Sequence, residues 1–300
     1  MILNQNTKNS KGLSDIFIWP MLLTQTTPFS SSDFIYEWKS DGIRLELIHE
    51  KGTGIKCFTR HKTNCTKQFP ELQEITLYED LVLDGELIVY DPQKKKEDLE
   101  LAMQRFKLSS SLKIQQAVLE LPCTYIVFDV LYHKKPIMHL PLMERKQILS
   151  EVISPSKYVQ PVMFIESEGE TFFKKIEEMK LEGAVAKKKN SVYSPGKRSL
   201  DWKKIIRYEY YEVAITAKRK KPFGFLCSYL TPTGLKPAGV IEFASKPLLK
   251  DLYIKSEIKN EDLLNVYYKH PIRCKIKTRG LTRNGYLRTP VLTEVLNIIK

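Results

Sequence analysis

Alternating apolar and polar positions mark the first regular structure along the chain. Residues 34–60 hold three such runs, IYEWK, IRLELIH and GIKCFT, with turn residues between them. A period of two is typical of half-buried strands. LVLDGELIVYD at 81–91 predicts a strand pair or one bent strand, and TYIVFDVLYH at 124–133 is apolar almost throughout. Such a continuous run predicts a strand that is buried on both faces.

Other segments repeat their apolar residues at helical spacing. We predict helices at 98–108, 111–121, 144–153 and 170–181. EGAVAKKK at 182–189 follows the last of them and predicts a strand that leaves the helix through Gly183. The first two thirds of the chain are therefore predicted to have an α+β fold.

The pattern changes after Trp202. Residues 208–300 are rich in short strands and turns, with one weak helical pattern near 248–258. Asn284-Gly285 is a two-residue hairpin signal, and the whole stretch is typical of a small barrel. With 300 residues, two domains are expected. We predict an N-terminal tail at 1–16, a first domain at 17–206 and a second at 207–300.

Composition narrows the class of protein. Hydrophobic residues make up 42% and charged residues 28%, which predicts a globular chain. The chain has no run of 18 apolar residues, so we predict no membrane helix. The N-terminus lacks the pattern of a secretory signal. The five cysteines are odd in number and widely spaced. They argue against disulfides and a zinc site and favour a cytoplasmic protein.

The positive charge is concentrated in the second domain. Residues 1–206 carry 30 Lys+Arg and 27 Asp+Glu, a net +3, whereas residues 207–300 carry 18 and 8, a net +10. A phosphate backbone is a natural partner for such a surface. Charge alone leaves a second interpretation open, in which the surface is basic only for solubility.

Lys39-Ser40-Asp41-Gly42 places a lysine directly before a tight turn, with Glu37 and Arg44 on either side. Alone, this pattern also fits an exposed lysine before a hairpin. Five further short motifs follow in order within the same predicted domain. They are Thr59-Arg60, Asp84-Gly85-Glu86, Phe128-Asp129 at the predicted end of the buried strand, EGAVAK ending at Lys187, and Trp202-Lys203-Lys204.

This order of motifs resembles the covalent nucleotidyltransferase superfamily of polynucleotide ligases and mRNA-capping enzymes. The resemblance runs from about residue 17 to the C-terminus. Within the superfamily the chain looks like the small bacterial and phage ATP-dependent DNA ligases, including prophage-type Ligase B and the ligase module of Ligase D. PML at 20–22, KPAGVIE at 236–242 and NGYLRTP at 284–290 match segments of those ligases.

The resemblance implies a fold, an activity and partners. The fold would be an ATP-grasp-like nucleotidyltransferase domain of antiparallel sheets with flanking helices, followed by an OB-type β-barrel. The activity would be sealing of nicked double-stranded DNA with ATP and Mg²⁺ or Mn²⁺. A lysine would take AMP from ATP, pass it to the 5′-phosphate at the nick, and the 3′-hydroxyl would displace it. We expect a monomer in a bacterial or phage-infected cytoplasm, near the nucleoid, with a DNA end-binding or repair protein as a further partner.

The resemblance makes Lys39 the nucleophile and places Lys187 and Lys204 on the α-phosphate. Attack requires a neutral amine, whereas a free lysine has a pKa of ~10.4. Cations and burial lower the pKa of a lysine. We therefore expect Lys187, Lys204, Arg44 and a bound metal to hold the Lys39 amine uncharged.

The other matched residues would hold the nucleotide. Glu37 resembles the residue that reads the adenine amino group, Glu86 the carboxylate that binds ribose, and Phe128 the ring that stacks on the base. Arg44 and Arg60 resemble the arginines that hold ribose or the 5′-phosphate of the nick, for which a planar guanidinium suits bidentate contact. Plain core packing remains an alternative role for Phe128.

The remaining implied sites bind metal and DNA. Glu182 and Asp41 would be the carboxylates around the metal. The basic run Lys218, Arg219, Lys220 and Lys221 is predicted to lie on a loop and to contact the DNA backbone without reading its sequence. Its alternative is a solvated surface cluster.

Two departures from the family pattern concern the first chemical step. The family's W-x-K-x-K motif has a second lysine, but position 206 is isoleucine, with Arg207 beside it. The R-x-D-K motif that ends most such ligases is replaced by LNIIK at 296–300. We therefore expect either slow charging with AMP or a related residue that stands in for the missing groups. An RNA ligase, a GTP-using capping enzyme and a degenerate ligase that only binds DNA stay open as alternatives, whereas NAD⁺-dependent ligation is disfavoured by the length and the cysteines.

Overall fold

A computed structural model describes residues 12, 13 and 16–299. The chain forms two compact units, Met1–Ile206 and Arg207–Lys300. Most of the predicted tail at 1–16 lies outside the described residues. Each unit has its own sheets and its own core, and each is described by itself.

The first unit mixes strands and helices, as the sequence predicts. Its strands are β1 (Leu22–Gln25), β2 (Ser31–Trp38), β3 (Ile43–Glu50), β4 (Gly54–Thr59), β5 (Leu81–Asp91), β6 (Lys96–Glu97), β7 (Cys123–His133), β8 (Lys135–Pro136), β9 (Val159–Pro161), β10 (Phe164–Ser167), β11 (Gly183–Lys188) and β12 (Arg198–Ile206). Its helices are α1 (Leu99–Phe106), α2 (Ser111–Glu120), α3 (Leu142–Val152) and α4 (Gly169–Glu178). All four predicted helices are confirmed within a few residues.

The strands of the first unit form two sheets. One has the order β1-β12-β11-β2-β10, and the other has the order β4-β3-β5-β7-β8, with β6 beside β5 and β9 beside β7. The run at 81–91 is one strand rather than a pair. Phe128-Asp129 does not end its strand, because the apolar run continues to Leu131 and β7 pairs with β5 as far as His133. That prediction was wrong, and both residues lie in the body of a buried strand.

The main core of the first unit lies on one face of the second sheet. Phe69, Leu83 and Tyr125 are fully buried there, together with apolar residues of α1 and α3. Arg105 of α1 is also fully buried beside Glu71, at 2.8 Å, and its guanidinium donates to three backbone carbonyls. The buried charge of this arginine therefore has an acidic partner and backbone acceptors, although its Nε has no acceptor among the described residues.

The second unit is largely one sheet. Its elements are β13 (Glu209–Arg219), β14 (Gly224–Thr231), β15 (Gly234–Ile241), α5 (Lys246–Lys255), β16 (Ile258–Glu261), β17 (Asn265–Thr278) and β18 (Val291–Ile298). The order is β15-β14-β13-β17-β16, and β18 also pairs with β17. Its core includes Phe225, Leu252 and Ile276.

The predicted barrel is found only as an open sheet. Among the described residues no ladder joins β15 to β18, although a single bridge links Phe243 to Val291. Asn284-Gly285 does form a turn: Gly285 has φ +79°, and a bridge joins Leu281 to Leu287 on either side. The turn is confirmed, but long hairpin strands do not flank it.

Two predictions from composition concern cysteines and membranes. All five cysteines are buried and free in the structure. In the part of the chain that the structure describes, no helix is long and apolar enough to span a bilayer.

Candidate active site

A cleft in the first unit is lined by strands of both sheets. Six of the residues predicted for nucleotide chemistry line it, together with apolar and aromatic neighbours. The lining residues are Leu23, Glu37, Trp38, Lys39, Ser40, Arg44, Glu86, Ile126, Phe128, Val162, Val185, Lys187 and Trp202.

Lys39 is held at the end of β2 by backbone and side chain. Its N–H donates to the Gly183 carbonyl at 2.8 Å, and its Nζ donates to Glu182 Oε2 at 2.7 Å. Burial alone would lower the pKa of Lys39, but the charges of Glu182 and Glu86 outweigh it and raise that pKa. The expectation that positive groups hold this amine neutral is therefore wrong for this state, because carboxylates are its nearest charged neighbours.

Glu86 lies on β5, directly across from Arg44 on β3. Burial raises the pKa of Glu86 to about 7, although Lys39 and Arg44 oppose the shift. The carboxyl group therefore titrates near neutral pH. Its charge depends on what else binds in the cleft.

Glu37 lies between two lysines. Its Oε2 is 2.8 Å from Lys187 Nζ, and its Oε1 accepts from Lys146 Nζ on α3. All three side chains are almost completely buried. Lys146 belongs to none of the motifs, and no local signal in the helix ERKQILSEVI marks it.

Lys187 occupies an aromatic slot. Its Nζ lies 4.3 Å from the ring centre of Phe128 and 4.2 Å from that of Trp202, distances typical of cation–π contact. Burial lowers the pKa of Lys187 to about 8; Glu37 opposes this shift and Lys146 adds to it. The Lys39 N–H donates to the Gly183 carbonyl, and Lys187 lies four residues further along β11. The backbone of Lys39 is therefore roughly 13 Å from that of Lys187. The two lysines thus belong to different ends of the cleft.

Arg44 is fixed by a bidentate ion pair with Asp84 on β5, at 2.9 and 2.6 Å. Tyr193 Oη also donates to Asp84, at 2.7 Å, and accepts from the Met21 N–H at 3.0 Å. The Arg44 guanidinium lies 5.1 Å from the ring centre of Phe128. One buried network therefore fixes the arginine over the ring that is predicted to stack on the base.

The geometry joins an amine, carboxylates, a fixed guanidinium and two aromatic rings in one cleft. A family model described as ATP dependent DNA ligase domain matches residues 20–205. The chain belongs to this family. The matched range contains every residue of the cleft, so the ligase domain and the candidate site coincide.

Relatives and solved structures extend the likeness beyond this ligase domain. The SPbeta prophage-derived DNA ligase-like protein LigB of Bacillus subtilis is 36% identical over 92% of the chain and 97% of its own length. DNA ligase 2 of Methanosarcina acetivorans is 28% identical, and the match spans 61% of the chain and only 35% of that ligase. The alignment with LigB therefore extends into the second unit.

Two solved structures show the same fold. A mycobacterial DNA ligase D, complexed with ATP and MES, aligns with a TM-score of 0.57 at 22% identity, over 93% of the chain and 95% of its own. A Lig E DNA ligase aligns with a TM-score of 0.65 at 17% identity, over 94% and 100%. The α+β fold is therefore shared with solved ligases. Its sheets are mostly antiparallel, but β1 pairs with β12 and β9 with β7 in parallel.

The Trp202-Lys203-Lys204 motif of the ligase lies on β12. Lys204 is paired with Val185 of β11 and shares the cleft-side face with Trp202, because alternate residues of a strand point the same way. Lys203 points to the opposite face, 5.0 Å from the ring centre of Phe29. Ile206 falls on the face of Lys204 and is buried, so the lysine that the family has there is replaced by an apolar side chain.

Other predicted residues lie outside the cleft lining. The Asp41 N–H donates to Glu97 Oε2 at 2.6 Å, and the Asp41 charge is one of those that act on Lys39. Arg60 follows β4 as an exposed side chain, and its N–H donates to the Arg44 carbonyl at 3.2 Å. Arg207 pairs with Glu209 at 2.8 Å inside the second unit. The Arg60 side chain thus lies at the surface, whereas that of Arg207 is engaged.

The basic run at 218–221 is only partly a loop. Lys218 and Arg219 are the last residues of β13, so the loop prediction was wrong for them: pairing with β14 and β17 extends the strand. Arg219 pairs with Glu242 at 2.7 Å and Lys220 with Glu261 at 3.0 Å. Lys221 is exposed in the turn that follows. The run is therefore a set of charges that are partly neutralised by neighbouring acids.

Proposed function

We propose that this ligase seals nicks in double-stranded DNA through a lysyl-AMP intermediate. In the first step, Lys39 Nζ loses a proton and bonds to the α-phosphorus of ATP, while the bond to the bridging oxygen breaks and pyrophosphate leaves. The 5′-phosphate of the nick then takes the AMP and frees the lysine. Last, the 3′-hydroxyl loses its proton, attacks that phosphate and releases AMP.

One observation carries the proposal. The Lys39 amine lies beside Glu182 and lines the same cleft as Phe128 and Trp202. A base stacked on Phe128 would direct its phosphates towards Lys39, with Arg44 fixed by Asp84 along the way. Positioning and charge neutralisation are the main requirements of phosphoryl transfer. Of the two lysines expected on the α-phosphate, we keep Lys204 there, because it shares the cleft-side face of β12. We place Lys187 at the base end instead, because its Nζ lies against the Phe128 ring.

The carboxylates near Lys39 fit a divalent cation. Within the described residues, no group of three or more His, Cys, Asp and Glu is close enough to hold a metal alone. Mg²⁺ is commonly bound by one or two carboxylates together with substrate phosphates, and Glu182 with Asp41 or Glu86 would supply such oxygens. When bound there, the ion would neutralise phosphate charge and weaken the hold of the carboxylates on the Lys39 proton.

We infer that the second unit grips the DNA backbone as an OB-type module. The net charge of +10 over 207–300 supports this role, since each phosphate contact by a cation adds a salt-dependent contribution to affinity. Exposed Arg60 would add a contact from the first unit.

The test is sealing of matched substrates. The purified chain with ATP and Mg²⁺ is incubated with a nicked DNA duplex, and separately with a nicked RNA duplex, each carrying a labelled 5′-phosphate. Joining of the DNA strand, with DNA-adenylate visible at early times, is the expected result. Joining of RNA alone would mean that the chain is an RNA ligase. Binding of DNA without joining would mean that it is a degenerate ligase that only binds DNA.

A further inference from the structure

The base end of the cleft contains three buried charged groups in contact. The Glu37 carboxylate has Lys187 on one oxygen and Lys146 on the other. The exposed fraction of the side chain is 3% for Glu37, 2% for Lys187 and 6% for Lys146. Burial of three charges is costly unless each is paired, so this Lys146–Glu37–Lys187 group is strongly fixed in place.

Lys146 is anchored independently of the cleft. It projects from α3, and its Nζ lies 5.6 Å from the ring centre of Phe164, on the strand that pairs with β2 beside Glu37. Unlike Glu37 and Lys187, Lys146 is absent from the cleft lining. It therefore acts on the cleft through Glu37.

Lys187 keeps hydrogen-bonding capacity for a ligand. Its Nζ is 2.8 Å from Glu37 Oε2, yet among the described residues it has no acceptor at hydrogen-bond geometry. An ammonium has three donors. A fully buried donor that lines a cleft without an aligned acceptor points to a ligand atom that accepts.

We propose that Lys146 is a positioning residue that clamps Glu37 beside Lys187, so that the cleft selects a 6-aminopurine over a 6-oxopurine. The proposal rests on the proposed function, because it assumes that the base of the nucleotide stacks on Phe128 in this cleft. It adds a residue outside the motifs and a chemical rule for the choice of nucleotide.

The two groups that face the cleft complement the edge of adenine. A carboxylate only accepts and an ammonium only donates. Adenine has an amino group at position 6, which can donate to Glu37. It has an acceptor at N1, which can accept from Lys187. A 6-oxopurine offers an acceptor at position 6 and a donor at N1, so both contacts become repulsive. Mismatch of buried polar groups gives much stronger discrimination than a missing methylene does.

The clamp matters because Glu37 must present its carboxylate in one orientation. Without Lys146, one oxygen of Glu37 loses its charged donor, and the group is free to turn wholly onto Lys187. Lys187 would then direct its donors to Glu37 rather than to the base. Arginine at position 146 keeps a charged donor and is expected to restore the clamp.

The experiment measures formation of the covalent AMP or IMP adduct with ATP and with inosine triphosphate, which differs from ATP only at positions 6 and 1. Lys146→Met, Lys146→Arg and Glu37→Gln are compared with the wild-type chain. Lys174→Met, an exposed lysine of α4, is the charge-matched control. The readout is the ratio of kcat/KM for ATP to that for inosine triphosphate, with thermal unfolding of each variant as the check on folding.

We expect Lys146→Met and Glu37→Gln to lose about tenfold or more of the ATP preference, mainly through a higher KM for ATP. Lys146→Arg should stay within about threefold of wild type, and Lys174→Met should match it. An unchanged ratio in Lys146→Met, or an equal loss for both nucleotides, would overturn the inference while leaving the ligase proposal intact. Failure of the wild-type chain to form any adduct with ATP would instead overturn the proposed function. If Lys146→Met does not fold, Glu37→Gln and Lys146→Arg still decide the question.

Discussion

The Nζ of Lys39 lies 2.7 Å from Oε2 of Glu182, so the amine proposed to attack ATP rests in an ion pair. Glu86 and Asp41 add further negative charge around it. The resting cleft therefore stabilises the protonated lysine. Activation must come with the substrate, because a cation on these carboxylates and proton loss from Lys39 favour each other.

The first prediction concerns the pH dependence of adenylation. The neutral form of Lys39 reacts, and its pKa is raised in the resting cleft, so the rate should climb with pH on the alkaline side of neutrality. Glu86→Gln removes a negative charge and should lower that pKa, which moves the rise to lower pH. Single-turnover adduct formation at ATP concentrations well below saturation reports the free protein and measures this, with exposed Glu178→Gln on α4 as the control. A profile of Glu86→Gln that coincides with that of wild type would contradict the electrostatic account.

The second prediction concerns position 206. Ile206 lies on the face of Lys204 and is paired with Gly183, so a lysine there would add positive charge next to the start of β11. Ile206→Lys should speed formation of the adduct, since the W-x-K-x-K motif that the chain resembles has that charge. Ile206→Met controls for the change of side-chain shape. An unchanged rate in Ile206→Lys would show that another cation already supplies this charge.

The third prediction concerns the network behind Arg44. Tyr193→Phe leaves the buried Met21 N–H without its acceptor and removes one donor from Asp84. Loss of such a buried partner costs about 1–3 kcal/mol. Urea unfolding should show a decrease of this size in the free energy of unfolding, and exposed Tyr90→Phe should show none. Equal stability of Tyr193→Phe and wild type would mean that the network adds no net stability.

The fourth prediction concerns DNA affinity. Alanine at 218–221 should weaken binding of nicked DNA and flatten its dependence on log[salt] by about one unit for each phosphate that the run no longer neutralises. Because Arg219 and Lys220 are paired with acids, the change should be smaller than that for four free cations. Alanine at the exposed lysines 113, 157, 174 and 180 of the first unit is the charge-matched control. If both variants change the slope equally, the run is only part of the general surface charge.

Local patterns predicted most of the fold. Helical spacing located α1 to α4, and alternation located β2 to β4, because each of these elements buries one regular face. The sequence pattern was misleading where pairing with neighbouring strands decides the local structure. Lys218 and Arg219 have the composition of a loop, yet neighbouring strands extend β13 through them.

The candidate site was predictable where short motifs carry it. Lys39, Glu182 and Lys187 were found in this way, and the cleft brings Lys39 and Lys187 together with Arg44 and Glu86. Lys146 was missed, because it meets Glu37 across 109 positions of sequence. The charge state of Lys39 was mispredicted for a similar reason, since the sequence names the surrounding groups but does not show which of them is nearest.

The central claim is that Lys39 forms a covalent bond to AMP, and intact mass spectrometry tests it most directly. After incubation with ATP and Mg²⁺, the wild-type chain should gain the mass of one AMP, and pyrophosphate should release it. Lys39→Met should gain nothing, while Lys174→Met should behave as wild type. An adduct of undiminished yield on Lys39→Met, or no adduct on the wild-type chain, would contradict the account.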